Sequence, residues 1–378
     1  MKIGIITQPL QTNYGGLLQN YALQQTLLKL GYDVYTINRK YPIDVYSYKL
    51  YKYLIFHIKQ IIHKYIGNPY SPTKKEKFEI IKNCTKFIED NIITTNSIID
   101  YKEYIELLQK HSFDTFVVGS DQVWRPQYSP NIKDDFCIFC ENRKNVKRIA
   151  YAASFGTSEW EFNEEETKEC SRLAKLFDAI SVREDSGISL CNSNLGVNAE
   201  LVLDPTLLLD KEHYIKLVEK YNEEVSDGDL FCYILDDGDC IHDAIIDIEK
   251  KTLMKSFQVK AKKTNYTLKR GEKISDYTIP SPTKWLRAFM DANMVFTDSF
   301  HGCVFSIIFN KPFWVIGNEN RGNARFDSLL KLFNLENRRI HISEINNIDF
   351  GNPIDWEQVN SIKKAWQDKS INFLKDNL

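Results

Sequence analysis

The chain has 378 residues, of which 43% are hydrophobic and 26% charged, a composition typical of a folded globular protein. Lys and Arg number 49 and Asp and Glu 51, a formal net charge of −2, which excludes a dedicated nucleic-acid binder. No run of about 18 apolar residues occurs, and the first residues lack the apolar core of a signal peptide, so we expect a cytoplasmic protein. The length fits two domains of roughly 150–200 residues each.

Strand-like and helix-like segments alternate along almost the whole chain, which predicts α/β architecture with parallel sheets. The first unit is a buried strand at 2–7, a polar loop at 11–16, a helix at 17–30 and a second strand at 33–38. The later strands of the first half are predicted at 113–118, 148–154, 179–182 and 201–203, with a helix at 161–177.

The second half repeats the same alternation. Its strands are predicted at 229–235, 257–261, 294–297, 313–316 and 339–342, and its helices at 211–221, 241–251, 285–291, 302–309 and 356–374. We predict an N-terminal domain at 1–212, a C-terminal domain at 213–350 and a terminal helix at 351–378 that packs back on the first domain.

A basic helical insertion interrupts the first domain at about 45–110. Residues 49–77 contain seven lysines and a single acid, Glu76, together with an apolar stripe from Leu54 to Tyr65. A basic helix with an apolar stripe is typical of contact with an anionic membrane surface, which would place the protein at the inner face of the membrane. The alternative is a solvated lysine face on a helix that packs on the core.

Eight cysteines are scattered along the chain, and only Cys137 and Cys140 have CxxC spacing. One such pair, without a second pair or a pair of histidines, is weak evidence for zinc. We therefore expect reduced, mostly buried thiols and no metal.

Polar stretches follow several predicted strands, and ligands of open α/β sheets bind outside the carboxyl ends of the strands. The stretch at 12–16 precedes a helix, and its glycines allow backbone N–H groups to approach an anion; the alternative is a plain turn. At 119–124, Asp121 and Trp124 suit the hydroxyls and the apolar face of a sugar. Alternatively, Asp121 caps a helix and Trp124 lies in the core.

The stretch at 297–302 contains the best catalytic candidate. His301 would lie at the N-terminal end of a helix, where amide groups and Ser299 hold a phosphate and the imidazole exchanges a proton. A buried structural histidine is the alternative.

Three arginines also follow predicted strands. Arg183 would face a cleft or form a salt bridge with the acids after it. Arg321 and Arg325 flank Gly322 and suit bidentate capture of a carboxylate or phosphate, with surface arginines as the alternative.

At these residues the chain resembles the polysaccharide pyruvyl transferase family, from about Lys2 to about Phe333. Seven motifs in the same order carry the resemblance. They are Asn13-Tyr14-Gly15-Gly16 with Leu18-Gln19-Asn20-Tyr21-Ala22-Leu23, Val118-Gly119-Ser120-Asp121-Gln122-Val123-Trp124, Tyr151-Ala152-Ala153-Ser154-Phe155-Gly156, Ser181-Val182-Arg183-Glu184, Asp204-Pro205-Thr206, Thr297-Asp298-Ser299-Phe300-His301-Gly302 and Asn310-Lys311-Pro312-Phe313.

The resemblance implies a fold like that of GT-B glycosyltransferases, with two Rossmann-like domains facing across a cleft. It also implies transfer of a pyruvyl group from phosphoenolpyruvate to sugar hydroxyls as a ketal, in surface polysaccharide biosynthesis and without a metal or cofactor. His301 matches the histidine of the family and is the candidate for proton transfer, and Arg183 matches its donor-binding arginine.

We therefore divide the candidate residues between the two substrates. Phosphoenolpyruvate would be held by Arg183, Ser299, Arg325 and Arg321. The acceptor, a sugar or a lipid-linked oligosaccharide, would be bound by Asn13, Gly15, Gly16, Gln19, Asp121, Gln122 and Trp124.

One motif departs from the family pattern. Several members have Arg-Leu-His where this chain has Ser299-Phe300-His301, so an arginine is missing. Either Arg325 or Arg321 supplies that charge, or the donor is held more weakly, or the donor is different. Two alternatives therefore stay open: a sugar-nucleotide glycosyltransferase on the same fold, with its pocket around 236–238 and 280–285, and a non-catalytic carbohydrate-binding member of the family.

Overall fold

The computed structural model describes residues 1–40, 58–60, 62–98, 100–129, 131–236, 238–264, 267–317 and 322–378. The predicted basic insertion is therefore described only from residue 58 onward, and Arg321 lies outside the described residues.

The first sheet has six parallel strands in the spatial order β2-β1-β3-β4-β5-β6. The strands are β1 (Lys2–Ile6), β2 (Asp33–Thr36), β3 (Thr115–Val118), β4 (Lys147–Ala153), β5 (Ala179–Val182) and β6 (Glu200–Leu201). Alternate residues enter two different apolar cores: Val117 faces one, whereas Phe116 and Val118 face the other. Burial on both faces explains why these strands are apolar along their length.

Helices cover this sheet and begin at recognisable caps. They are α1 (Tyr14–Lys29), α2 (Lys74–Asn91), α3 (Tyr101–His111), α4 (Glu164–Ala174) and α5 (Asp185–Leu190). Helix α1 begins three residues before the predicted start because the Asn13 side chain accepts a hydrogen bond from the amide of Gly16. A capping box between Thr73 and Glu76 begins α2.

The second sheet has five parallel strands in the order β11-β10-β9-β7-β8. The strands are β7 (Leu230–Tyr233), β8 (Ser256–Phe257), β9 (Met294–Thr297), β10 (Phe313–Ile316) and β11 (Arg339–Ile340). The later helices are α6 (Lys211–Lys220), α7 (Asp239–Thr252), α8 (Pro282–Asp291), α9 (Phe300–Ile308), α10 (Ala324–Leu332) and α11 (Trp356–Asn377). The predicted α/β architecture with parallel sheets is confirmed, although the edge strands β6 and β8 are shorter than predicted.

One apolar core joins the two sheets. It contains Ile5 and Tyr151 of the first sheet, Val295 and Val315 of the second, and Trp285 of α8 between them. The carboxyl ends of β9 and of the first-sheet strands consequently meet across this core, where their loops form the site described below. The boundaries drawn at 212 and 350 stay a prediction.

The terminal helix α11 packs against the first domain. The Gln367 amide donates to the carbonyl of Leu207 at 2.7 Å, and the Leu203 amide donates to Ser370 Oγ at 3.0 Å. The ring of Phe373 packs near that of Tyr151, with 6.2 Å between the centroids.

The state of the cysteines bears on redox chemistry, and the length and apolarity of the helices bear on membrane insertion. All eight cysteines lie within the described residues and are free thiols, and only Cys240 is exposed. Across the described ranges, no helix combines the length and the apolarity that crossing a membrane requires.

Candidate active site

The loop before α1 forms the first-domain side of the site. Asn13 Nδ2 donates to Asp121 Oδ2 at 3.4 Å, which ties this loop to the end of β3. Asp121 has φ of +68°, a region that Asp tolerates better than most residues and that aims its carboxyl group at its neighbours. Asn13 is exposed, whereas Asp121 is only 5% exposed.

His301 reaches this loop from the second domain. It lies in the first turn of α9 and is 6% exposed. A Cβ atom added to Gly15 would lie 2.0 Å from His301 Nδ1, so the imidazole occupies the space that any larger residue would need. Gly15 therefore has a steric role: it lets the two domains bring the ring against the start of α1.

Arg183 is the most highly connected charged residue of the site. Its Nη1 lies 2.8 Å from Asp204 Oδ2, and its Nη2 lies 3.7 Å from Asp121 Oδ1. The guanidinium also lies over the ring of Phe300, 4.4 Å from the centroid. Burial alone would lower the pKa of Arg183, but Asp204, Asp121 and Glu184 outweigh it and raise the pKa. The expected arginine is therefore present and positively charged, but acids of its own domain already contact it.

Asp204 connects Arg183 to His301. Its Oδ2 lies 3.7 Å from His301 Nε2, an ion-pair distance, and its Oδ1 accepts from the amide and the hydroxyl of Thr206. Burial alone would raise the pKa of Asp204, but His301, Arg183 and Thr206 together hold it far below its ordinary value. Asp204 is therefore an ionised carboxylate facing the imidazole.

Asp204 belongs to one of the seven motifs but was not among the predicted site residues. A carboxylate directly after a predicted strand at 201–203 was the available signal. Its contact with His301 joins residues about a hundred positions apart, which no local pattern shows.

Glu184 orders the loop after β4. Its Oε1 accepts hydrogen bonds from the Ser154 hydroxyl at 2.9 Å and from the Phe155 and Gly156 amides at 2.8 and 3.2 Å. The salt bridge expected between Arg183 and the acids after it is thus weak here, with 3.9 Å between Arg183 Nε and Glu184 Oε2.

Arg325 lies on the same aromatic ring as Arg183. Its guanidinium carbon is 5.7 Å from the centroid of Phe300, and the residue is 7% exposed. Burial and the positive charge of Arg183 lower the pKa of Arg325 to about 10. Two guanidinium groups therefore flank one ring beside His301, which favours an anion at this position.

Ser299 precedes α9 and is 6% exposed. Its amide donates to Thr297 Oγ1 at 3.1 Å, while its side chain makes no cap hydrogen bond with the helix. Ser299 thus lies next to His301, as the motif requires.

Two predicted acceptor residues lie in the core rather than at the site. Trp124 is fully buried: its ring stacks on Phe136, and its Nε1 donates to the carbonyl of Asp135 at 3.1 Å. Gln19 is also fully buried and donates to Thr7 Oγ1 at 2.9 Å. These positions favour the core interpretation of Trp124 and show that Gln19 supports the loop from inside.

Gln122 faces the loop after β4. Its Oε1 accepts from Arg125 Nη1 at 3.0 Å, and a Cβ on Gly156 would lie 2.1 Å from it. It holds two first-domain loops together. Gly16, by contrast, is partly exposed beside Asn13 and Asp121.

A groove of about 450 Å³ opens between the two domains beside the loop after β4. Residues 157–159 and 185–186 line it from the first domain, and residues 322–324 and 327 line it from the second. Within the described part of the chain, no three His, Cys, Asp or Glu side chains are grouped in a way that would hold a metal ion.

Comparison with solved structures identifies the fold as GT-B. TcCGT1 in complex with UDP has a TM-score of 0.50 at 8% identity, covering 100% of this chain and 99% of that one. S. aureus MnaA with UDP also has a TM-score of 0.50, at 10% identity, covering 92% and 86%. A UDP-GlcNAc 2-epimerase from Neisseria meningitidis, bound to UDP-GlcNAc, has a TM-score of 0.49 at 10% identity, covering 97% and 98%.

The sequence itself defines the family. The model for polysaccharide pyruvyl transferases matches residues 13–320, which include both sides of the site. The chain belongs to the polysaccharide pyruvyl transferase family, as its motifs indicated. No curated protein matches the sequence. Membership supports a transferase of polysaccharide biosynthesis as the class of enzyme.

Proposed function

We propose that this protein transfers a pyruvyl group from phosphoenolpyruvate to two hydroxyls of a sugar, forming a ketal. The observation that carries the proposal is the meeting of His301 with the Arg183–Asp204 pair across the domain boundary. Phosphoenolpyruvate has a carboxylate and a phosphate, so its site needs cations, and its C3 must gain a proton. This site offers both kinds of group within a few ångströms.

Arg325 is our candidate for the charge that the missing family arginine would supply. It flanks Phe300 together with Arg183, and its lowered pKa reflects a cation that burial and a like charge disfavour. An anion bound beside Phe300 would offset the repulsion between the two guanidinium groups. Ser299 is expected to contact the same donor, and the role of Arg321 stays a prediction because it lies outside the described residues.

The proposed reaction begins with a proton. His301 delivers it to C3 of the donor, which leaves an oxocarbenium-like centre at C2. One sugar hydroxyl attacks C2 and loses its proton, and the C2–O bond to phosphate breaks. A second hydroxyl then adds to C2 and loses its proton, which completes the ketal and leaves inorganic phosphate as the other product.

Asp204 is the proposed positioning residue. Its carboxylate lies 3.7 Å from His301 Nε2 and orients the imidazole that donates the proton. The same oxygen accepts from Arg183, so one residue orients both the proton donor and a donor-binding cation.

For the acceptor, we propose contacts with Asn13, Gly16 and Asp121. Asn13 is the exposed end of the loop that meets His301, and its hydrogen bond to Asp121 places an amide and a carboxylate side by side. Groups of this kind bind sugar hydroxyls. The groove lined by residues 322–324 and 327 would provide the entry for a sugar.

Replacing the imidazole tests the proposal. We expect His301→Ala to lower phosphate release from phosphoenolpyruvate, in the presence of a sugar acceptor, by roughly 10²–10⁴-fold, the usual contribution of a positioned proton donor. His242→Ala, at an exposed histidine of the same domain, is the control and should retain activity. A thermal midpoint close to that of the wild type would show that the variant folds, and full turnover by that folded variant would contradict the assignment.

The donor is tested separately from the histidine. A ligand that binds the native state raises the thermal midpoint, so phosphoenolpyruvate is compared with UDP-, GDP- and CMP-sugars. We expect stabilisation by phosphoenolpyruvate. Stabilisation by a nucleotide sugar alone would favour the glycosyltransferase alternative, and binding of a glycan without any donor would favour a non-catalytic role.

The location of the reaction is part of the proposal. We place it in the cytoplasm, with the acceptor free or linked to a lipid, and a peripheral contact with the membrane is argued from the surface below. Cell fractionation checks this, and recovery of the protein outside the cytoplasmic and membrane fractions would contradict it.

A further inference from the structure

The two domains also touch at a place separate from His301. Tyr70 and Leu268 exchange two backbone hydrogen bonds of 2.9 Å, and Arg270 Nη1 donates to the carbonyl of Tyr65 at 2.9 Å. Tyr70, Leu268 and Tyr277 form a small apolar core beneath this contact. We call the described residues of the two segments that meet here the clasp; they are 58–60, 62–91, 260–264 and 267–281.

The outer face of the clasp exposes apolar side chains. Ile58, Ile62, Tyr65 and Ile66 are 56%, 48%, 71% and 64% exposed, and their spacing places them on one side of a helix. Phe78 of α2 is 56% exposed. Single exposed apolar residues are ordinary, but a continuous row marks a surface that is covered by something else.

Positive charge accompanies this row from both domains. Residues 260–273 of the second domain contain six basic residues and one acid. Lys64 and Lys263 are paired with Glu76 and Glu272, at 2.7 and 2.8 Å. Other lysines of the clasp are exposed: Lys59, Lys74, Lys75 and Lys77 in the first domain, and Lys262, Lys269 and Lys273 in the second.

We propose that the clasp docks on an anionic lipid bilayer and that both domains contribute to the contact. Apolar residues flanked by lysines suit the boundary between headgroups and acyl chains. A soluble anionic polymer would meet the lysines but leave the apolar row exposed to water. A second copy of this chain would bring two basic faces together, which is unfavourable.

The clasp adjoins the loop at His301. The Tyr14 hydroxyl donates to the carbonyl of Pro280 at 2.9 Å, and Tyr14 immediately precedes Gly15, which contacts the imidazole. A docked clasp therefore places the site beside the bilayer, where a lipid-linked acceptor would lie. This last step rests on the proposed function, whereas the docking itself does not depend on the donor.

Vesicle co-sedimentation of the full chain tests the contact. The probe is phosphatidylcholine vesicles with and without phosphatidylglycerol, and we expect binding that requires the anionic lipid and weakens with salt. The variant Lys262→Gln, Lys269→Gln, Lys273→Gln should lower the partition coefficient by about 100-fold, since each of the three basic residues contributes on the order of 1 kcal/mol near the surface. The variant Ile62→Ser, Ile66→Ser should also lower it.

The control has the same change of charge elsewhere. Lys144→Gln, Lys168→Gln, Lys175→Gln alters three exposed lysines of the first domain outside the clasp and should bind like the wild type. Equal loss of vesicle binding in this control would overturn the proposal that both domains contribute to the contact. The absence of any loss in the second-domain lysine variant would overturn it too. Equal binding to neutral and anionic vesicles, or binding to neither, would overturn the proposal that the clasp docks on an anionic bilayer.

Two further measurements complete the test. The first distinguishes docking on a bilayer from contact with a second copy of the chain, and the second distinguishes docking from catalysis. Loss of a dimer in Ile62→Ser, Ile66→Ser, measured by light scattering, would assign the row to a second copy and overturn the proposal. Phosphate release with a soluble acceptor should be unchanged in all these variants. The docking proposal can therefore fail while the proposed reaction stands, and the proposed reaction can fail while the docking proposal stands.

Discussion

Close approach of atoms across the domain boundary determines the site at the scale of single residues. His301 fits against Gly15 because that residue lacks a Cβ, and Asp204 approaches the imidazole from its other nitrogen. Each ring nitrogen therefore faces the first domain, although the residue belongs to the second.

The first residue-scale prediction concerns the space at Gly15. Gly15→Ala places a Cβ 2.0 Å from His301 Nδ1, so the ring or the loop must move. We expect kcat/KM to fall by about 10²-fold or more, because misplacement of about 1 Å at a reacting group has that effect.

Gly351→Ala is the control for that variant, because Gly351 is exposed and lies outside the proposed site. Its added Cβ would lie no closer than 3.2 Å to its one near neighbour, Asp349 Oδ1. Steady-state kinetics of the two variants, with the thermal midpoint as the check on folding, decides the point. Equal activity in both would show that the contact with the imidazole does not matter.

The second residue-scale prediction concerns stability against pH. Burial and the charge of Asp135, opposed by Arg39, raise the pKa of Asp134 to about 6, from 3.8. The native state therefore holds this proton more tightly than the unfolded state, so the contribution of Asp134 to stability is greatest below about pH 4 and is lost as the pH rises to 6. Asp134→Asn should raise the free energy of unfolding at pH 7 by about 1–2 kcal/mol and reduce this pH dependence.

Urea unfolding at a series of pH values measures this effect. Asp243→Asn, at an exposed carboxylate, serves as the comparison and should follow the wild type. A lower stability of Asp134→Asn at pH 7 would mean that the ionised carboxylate makes a favourable contact.

At the scale of elements, the terminal helix α11 shows how a late segment stabilises the first domain. Its buried polar residues meet backbone groups around 203–207, next to Asp204. The helix therefore supports the strand end that presents this carboxylate to Arg183 and His301.

The element-scale prediction is made on this contact. Ser370→Ala leaves the buried amide of Leu203 without its acceptor, which should lower the free energy of unfolding by about 1–3 kcal/mol. Ser361→Ala, at an exposed serine of the same helix, should change it by less than about 0.5 kcal/mol. Equal free energies of unfolding for the two variants, measured by chemical denaturation, would mean that the hydrogen bond contributes nothing to stability.

At the scale of the whole molecule, one apolar core includes residues of both sheets. Phe305 of α9 and Trp285 of α8 pack in the same cluster as Ile5 and Leu17 of the first domain. A large apolar interface resists the separate motion and separate unfolding that two domains otherwise show.

The whole-molecule prediction is a single cooperative unfolding transition. We expect one peak in scanning calorimetry, with a van't Hoff enthalpy close to the calorimetric one. Two resolved peaks would mean that the domains unfold independently despite the shared core.

Local patterns in the sequence were sufficient for much of the fold. The strand at 294–297, for example, was predicted from four residues before a polar turn and is found at Met294–Thr297. The order of the motifs also identified the family, because each motif is a short contiguous stretch.

The site depended on tertiary structure in a way that local patterns do not record. Trp124 comes soon after a predicted strand and Gln19 lies near the start of a predicted helix, yet packing buries both. Asp204 lies in one of the motifs but was assigned no role, and folding places it between Arg183 and His301.

The sequence by itself determined the alternation of strands and helices, the family and the residue types available for chemistry, because these depend on neighbours along the chain. Only the tertiary structure decided which of those residues meet. Parallel strands bring their carboxyl ends to one edge, and the core shared by the two sheets brings the edges together. Contacts between residues far apart in sequence follow from that packing alone.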